Sequence, residues 1–323
     1  MASGPTLTIP GGTNMVTVVQ GDLILPADFN DARTNVNDML SAPTAVSDLH
    51  GLNQGGVSVG QAVTGITIEA LGSAGAFTEL QNDVQALNAF YQATTNVFIQ
   101  TDIVPGQLIE TDEWNGMMYD TKARWDNEEK SYISSTKTNP VSDTWVNSTD
   151  GDWTGTLTYT ATFTWSTAAE LNAWFNGGGA VGVEGAIINY TGGDPQTEAW
   201  ETKLNNLGDV FMVKQDNVAG AGTSTGNGQV DMTTSYLDLN VYAGGSGAPY
   251  TNDWANVDAV VNNTTTPTSV TVRMKLRDGT DGGTDDPVKG DTRMRGVLYT
   301  PNPNGSGFTF ASPSVTQTTI TET

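Results

Sequence analysis

Between Gly155 and Trp165 threonine alternates strictly with apolar residues: Thr156, Thr158, Thr160, Thr162 and Thr164 against Leu157, Tyr159, Ala161, Phe163 and Trp165. A period of two puts the two sets on opposite faces of a strand, one for a core and one lined with hydroxyls. The pattern then changes. Ser166 or Thr167 is placed to cap a helix, with Glu170 set for a capping box. That helix carries Leu171, Trp174 and Phe175 and stops at Gly177-Gly178-Gly179. A strand is predicted over 180–190. Asp194-Pro195 opens a second helix with Trp200, Leu204 and Leu207 on one face. Further strands are predicted over 210–213, 234–242, 256–263, 269–277 and 292–299.

The first part of the chain has a helical period instead. Pro26 opens a helix in which Phe29, Ala32, Val36 and Leu40 recur at helical spacing. The preceding Gly21, Leu23 and Ile24, with Phe29 and Asn30, return as Gly106, Leu108, Ile109, Trp114 and Asn115, followed by a helix to about Asn127. Residues 60–91 read as a degenerate third copy, with Phe77 in the aromatic place and Leu80, Val84, Leu87 and Tyr91 as a stripe. Such repeats imply helical units packing on one another. The expected organisation is an arm over 1–20, a helical repeat attachment domain over 21–130, a polar linker over 131–154, a β-rich domain over 155–300 and a Pro, Thr and Ser-rich tail over 301–323. The fold class is α+β: repeated short extended-helix units, then a sandwich-like β-rich domain with two helices.

Composition narrows the function. A chain of 323 residues suits two domains. Asp and Glu number 36 against 13 Lys and Arg, for a net charge of -23. That field repels nucleic acids and anionic membranes, so neither is an expected partner. Only 15% of residues are charged, leaving the surface to Thr, Asn, Ser, Gln and Gly. There is no cysteine, which removes disulfide frameworks, thiol redox chemistry and the usual zinc modules. The Met-Ala-Ser-Gly-Pro-Thr start lacks the basic and apolar regions of a secretory signal, and no run of 18 apolar residues occurs. A soluble protein suited to the outside of a cell, yet without an export signal, fits release by lysis.

Few residues invite chemistry. His50 stands alone beside Gly51 and reads as a loop residue. Gly244-Gly245-Ser246-Gly247 lacks the Lys-Ser/Thr ending of a phosphate loop. The segment from Asp278 to Asp286 is the suggestive one. Its Asp278, Asp281, Asp285 and Asp286 suit a Ca²⁺ ion, although the spacing is not that of an EF-hand, and a solvated hairpin loop explains it equally. No other cofactor is expected. Trp165, Trp174 and Trp200 lie on apolar faces and read as core. Trp145 and Trp153, in the polar stretch, are the candidates for exposed, interacting aromatics. No carboxylate pair stands out for glycoside hydrolysis.

The repeated Gly-x-Leu-Ile-x-x-x-x-Phe/Trp-Asn unit resembles the N-terminal part of virion structural proteins of marine tailed phages, of cyanophage type. Leu171-Asn172-Ala173-Trp174-Phe175-Asn176-Gly177-Gly178-Gly179 resembles their F-F-N-x-G-G helix end, and Thr191-Gly192-Gly193 before a Trp-bearing helix is similar to their R-T-G-G segment. Thr234-Ser235-Tyr236, Tyr250 and the Asp278–Asp286 loop follow in the same order. Val183 and Glu184 depart from the pattern, where such relatives carry Arg or Lys. The resemblance implies a structural virion component without fixing its place in the particle; the leading expectation is a non-enzymatic, tail-associated one, a fibre, an appendage or a tail-fibre adaptor, assembled in the host cytoplasm. Its expected partners are other virion proteins and copies of itself, as a trimer or hexamer. A receptor-binding protein for host-surface glycans and a head or neck decoration protein are the alternatives.

Overall fold

The structure is a computed structural model that describes residues 5–9, 12–20, 24–41, 74–90, 111–128, 136–243, 250–279, 287–301 and 310–323. The chain forms two compact units. One comprises Met1–Pro43, Asp48–Ile133 and Asn302–Phe310; the other comprises Thr44–Ser47, Ser134–Pro301 and Ala311–Thr323.

The first unit is built on α1 (Pro26–Leu40), α2 (Ala74–Phe90) and α3 (Thr111–Glu128), with a short antiparallel pair of β1 (Thr6–Leu7) and β2 (Met15–Val16). Pro26 fills the first turn of α1, where its missing N–H costs nothing, and Asp28 Oδ2 accepts from Leu25 N at 2.8 Å. The helical stripes of Phe29, Val36 and Met39, of Leu80, Val84 and Leu87, and of Trp114 and Met118 meet in one core. Phe29 and Trp114 are each the fourth residue of their helix, and both are fully buried. Gly21, Leu23, Gly106, Leu108, Ile109, Tyr91, residues 60–73 of the proposed third repeat and the Phe77 side chain lie outside the described residues.

The N-terminal stretch differs from the expected free arm. Ile9, Met15 and Val18 are buried in the core of this unit. The reason is that two asparagines act as backbone mimics. Asn35 accepts from Thr13 N (2.8 Å) and donates to Thr13 O (2.7 Å), while Asn115 does both to Val18 (2.8 Å each). An extended segment can then be buried without leaving its polar groups unpaired.

The second unit is mixed α+β with a β-sandwich-like core. Its strands are β3 (Thr136–Trp145), β4 (Thr156–Thr164), β5 (Ala180–Ile188), β6 (Val210–Met212), β7 (Asn217–Val218), β8 (Thr223–Ser224), β9 (Leu237–Ala243), β10 (Trp254–Val261), β11 (Ser269–Arg277), β12 (Asp291–Thr300), β13 (Ser314–Gln317) and β14 (Thr321–Glu322). Helices α4 (Asn147–Asp150), α5 (Ala168–Asn176) and α6 (Pro195–Leu207) lie between them. Among the described residues, one sheet has seven strands in the order β13-β4-β11-β10-β9-β8, with β14 also on β4; the other has five, β3-β12-β5-β6-β7. The strand pairs are antiparallel.

Alternation explains which face is core. Leu157, Tyr159, Ala161 and Phe163 of β4 are fully buried, as are Val270, Val272, Met274 and Leu276 of β11. The facing sheet meets them at glycines. A Cβ at Gly185 would stand 3.1 Å from Met274 Sδ, and one at Gly296 would stand 3.1 Å from Ala161 Cβ. Helix caps follow the local sequence: Thr167 accepts from Glu170 N, Glu170 Oε2 accepts from Ser166 N, and Asp194 accepts from Thr197 N.

Two stretches are more ordered than their composition implies. Residues 131–154, expected as a linker, contain β3, which pairs with β12 from Trp145↔Thr292 to Thr136↔Thr300. It is an edge strand exposed at Thr136–Pro140, so it carries no apolar stripe and tolerates Pro140. Residues 301–323, expected as a tail, provide β13 and β14 on the edge of β4. Gln317 Nε2 donates to Ser142 O at 2.9 Å and Ile320 N donates to Asp143 Oδ2 at 2.6 Å, so β13 and β14 also close the seam beside β3.

Candidate functional site

A buried polar grouping in the second unit is assembled by α6 and the β10–β11 pair. Gln196, Trp200 and Lys203 fall on one side of α6 through the i, i+4, i+7 spacing. In β10 and β11, Trp254 stands opposite Arg277 as the last pair. The next residues outward, Asp253 and Asp278, are thereby brought to the same end of the sheet. Both are buried, and so is Lys203, with 2% of its surface exposed.

The contacts tie these groups together. Lys203 Nζ donates to Asp253 O at 2.9 Å and lies 3.8 Å from Asp253 Oδ2. The same amine sits 4.6 Å from the centroid of the Trp200 ring. Gly279 N donates to Asp253 Oδ1 at 3.0 Å, and Gln196 Nε2 donates to Asp253 Oδ2 at 3.4 Å and also to Asp278 Oδ1. Burial pushes the Lys203 amine below the ordinary lysine range, against the opposing pull of Asp253 and Asp278. A cation withdrawn from water here has two carboxylates for company and an aromatic face at its side.

Two other charge groups lie on the strands. Glu184 accepts from Lys137 Nζ at 2.6 Å and Asn139 Nδ2 at 3.1 Å and pairs with Arg295. Lys137 also reaches Asp209 at 2.8 Å. Desolvation alone would lower the Lys137 pKa, but its bonds to Asp209 and Glu184 outweigh this and raise it. On the other sheet Arg273 holds Asp258 with two bonds, of 2.8 and 2.6 Å, and stacks 3.6 Å from the Tyr236 ring.

Of the proposed calcium ligands, only Asp278 is a described residue, and its carboxylate faces Gln196 and Lys203. Asp281, Asp285 and Asp286 lie outside the described residues, as do His50 and Gly244–Gly247. Among the described residues no group of three His, Cys, Asp or Glu is placed to hold a metal. Nor is any helix among them long and apolar enough to cross a membrane.

The expectation of an exposed Trp153 is overturned. Its ring is fully buried, 5.1 Å from Trp200, and its Nε1 donates to Thr292 Oγ1 at 3.0 Å. The polar residues before it form the short helix α4, while the bridge from Trp153 to Val288 ties the residue to the chain before β12. Trp145 is half-buried, with its Nε1 on Gly151 O at 2.9 Å. The Lys203, Gln196 and Asp253 grouping was missed because Asp253 lies 50 residues from Lys203 and 57 from Gln196 in the sequence. One signal was present: a lysine three residues after Trp200 on the buried side of α6.

No family model, curated protein or solved structure matches the chain.

Proposed function

We propose that this chain is a structural component of a bacteriophage virion, tail-associated as a fibre, appendage or tail-fibre adaptor, and that it acts by assembly without turning over a substrate. The reading rests on the ordered sequence resemblance. Its main support in the structure is the use to which the resembling residues are put. Leu171, Trp174 and Phe175 are buried, and the Trp174 ring lies so close to Gly179 that a Cβ there would stand 2.3 Å from Trp174 Nε1. Trp200 is likewise buried after the Thr191-Gly192-Gly193 turn. These motifs build cores and turns, which suits a family defined by shape rather than by a reaction.

In this reading the helical unit attaches to the tail through its repeated extended-helix elements, and the β-rich unit projects or holds neighbours. The equal placement of Phe29 and Trp114 in α1 and α3 supports the repeat. Oligomerisation as a trimer or hexamer follows the symmetry of a tail. Cryo-electron microscopy of the particle that carries this chain tests the proposal. Density for both units on the tail is the expected result. Density confined to the head or neck would replace it with decoration, and absence from purified particles would overturn it.

A further inference from the structure

We propose that Lys203 and Asp253 join in an intramolecular isopeptide bond that the chain forms by itself, with Asp278 as the proton carrier.

Three requirements of that reaction are met by residues already described. The first is a nucleophilic amine. Lys203 is 2% exposed, and its burial favours the neutral amine, the form with a free lone pair. The second is an activated acyl carbon. Both oxygens of the Asp253 carboxyl accept hydrogen bonds, from Gly279 N at 3.0 Å and from Gln196 Nε2 at 3.4 Å. Donors on both oxygens stabilise the charge that develops there when the carbon is attacked. The third is a group that moves protons. Asp278 is held next to Asp253 by the shared Gln196 amide and is close enough to act on the charge of Lys203.

Proximity completes the case. Lys203 Nζ stands 3.8 Å from Asp253 Oδ2, an oxygen on the carbon to be attacked, and 2.9 Å from the main-chain O of the same residue. Trp200 beside the amine keeps the pocket dry, and Trp153 stacks on Trp200. Exclusion of water favours amide formation over hydrolysis.

The step balances without an outside reagent. The Lys203 nitrogen lone pair attacks Asp253 Cγ and an N–C bond forms. Asp278 relays two protons in turn, one that the Lys203 ammonium gives up to free its lone pair and one that the nitrogen gives up after attack, and both end on the same oxygen of Cγ. The C–O bond then breaks and that oxygen leaves as water. An ammonium and a carboxylate together hold the atoms of one amide and one water, and nothing is oxidised or reduced. The product would fasten α6 to the β10–β11 end of the sandwich in a chain that has no cysteine for a disulfide.

The test is mass spectrometry of the purified full chain after complete denaturation. The expected intact mass is one water below that of Lys203→Met, after allowing for the substitution. Trypsin should leave Lys203 uncut, and the peptide that contains it should be joined to the one spanning 215–273. Asp278→Asn should fold, by circular dichroism, yet show its full sequence mass. Asp253→Asn should form the same bond with loss of ammonia. A wild-type chain at full sequence mass, cut by trypsin at Lys203, would overturn the proposal and leave an ion pair. A crosslink that persists in Asp278→Asn would overturn the role of Asp278.

Discussion

Asn115 on α3 makes with Val18, 97 residues earlier, the two hydrogen bonds that one strand residue makes with another: its Oδ1 accepts from Val18 N and its Nδ2 donates to Val18 O. A side chain thus substitutes for a missing neighbour strand. Asn115→Ala leaves both main-chain groups of a buried residue unpaired, at a cost of about 1–3 kcal/mol. Hydrogen exchange at the Val18 amide should accelerate more than at the cores of α1 and α3, and urea unfolding of the first unit should shift to lower concentration. Unchanged exchange at Val18 would show that the clamp does not hold the segment.

Gly179 is required by contact rather than by backbone angle. A Cβ there would stand 2.3 Å from Nε1 of a buried Trp174 ring that has no room to retreat. Gly179→Ala should therefore destabilise the second unit by about 1–3 kcal/mol, as overpacking does. It should also alter the near-ultraviolet circular dichroism of tryptophan. A melting temperature equal to wild type would mean that the helix end can shift freely.

Asp83 on α2 predicts a pH dependence. Burial, with the charge of Glu79 adding to it, pushes the carboxyl up to about 7. The folded chain then keeps a proton that the unfolded chain gives up near pH 4. Between about pH 4 and about 7 the unfolded state is increasingly favoured, so the first unit loses stability as pH rises and levels off above that window. Asp83→Asn should remove the loss, raising the melting temperature at pH 8 and leaving it nearly unchanged at pH 4. An equal effect at both pH values would contradict the shift.

The end of the sheet offers a further substitution. Glu322 Oε1 accepts from Thr154 N at 2.8 Å and Gly155 N at 2.9 Å, and Thr323 exchanges main-chain bonds with Thr156. Glu322→Ala should loosen β14 and speed hydrogen exchange at Thr156, with a stability loss of about 1 kcal/mol at an exposed site. Protection at Thr156 that is unaltered would assign the hold to the main chain alone.

What was legible in the sequence follows from where each element lies. The alternation in β4 and β11 could be read because each has one buried face and one half-buried face, an inequality that produces a period-two pattern. The Thr167 and Asp194 caps could be read because capping is local. β3 and β13 could not: they lie at sheet edges, their side chains are mostly exposed, and no stripe marks them. Trp153 was misjudged for the same reason, since its burial comes from Trp200 and Thr292 and not from its neighbours in sequence. The pocket around Lys203 depends on the register of β10 against β11, which places Asp253 and Asp278 side by side and leaves no trace in composition.

The paired tryptophans have an optical consequence. Trp153 and Trp200 have ring centroids 5.1 Å apart, and Trp165 and Trp174 are 5.9 Å apart, with their planes tilted at 57° and 62°. Indole transitions that near and that inclined couple as excitons, so each pair should give a circular-dichroism couplet of opposite signs. Both pairs belong to the second unit, whereas Trp114 stands in the core of the first. The molecule therefore carries its own spectroscopic label, one that reports on the second unit and is silent about the first.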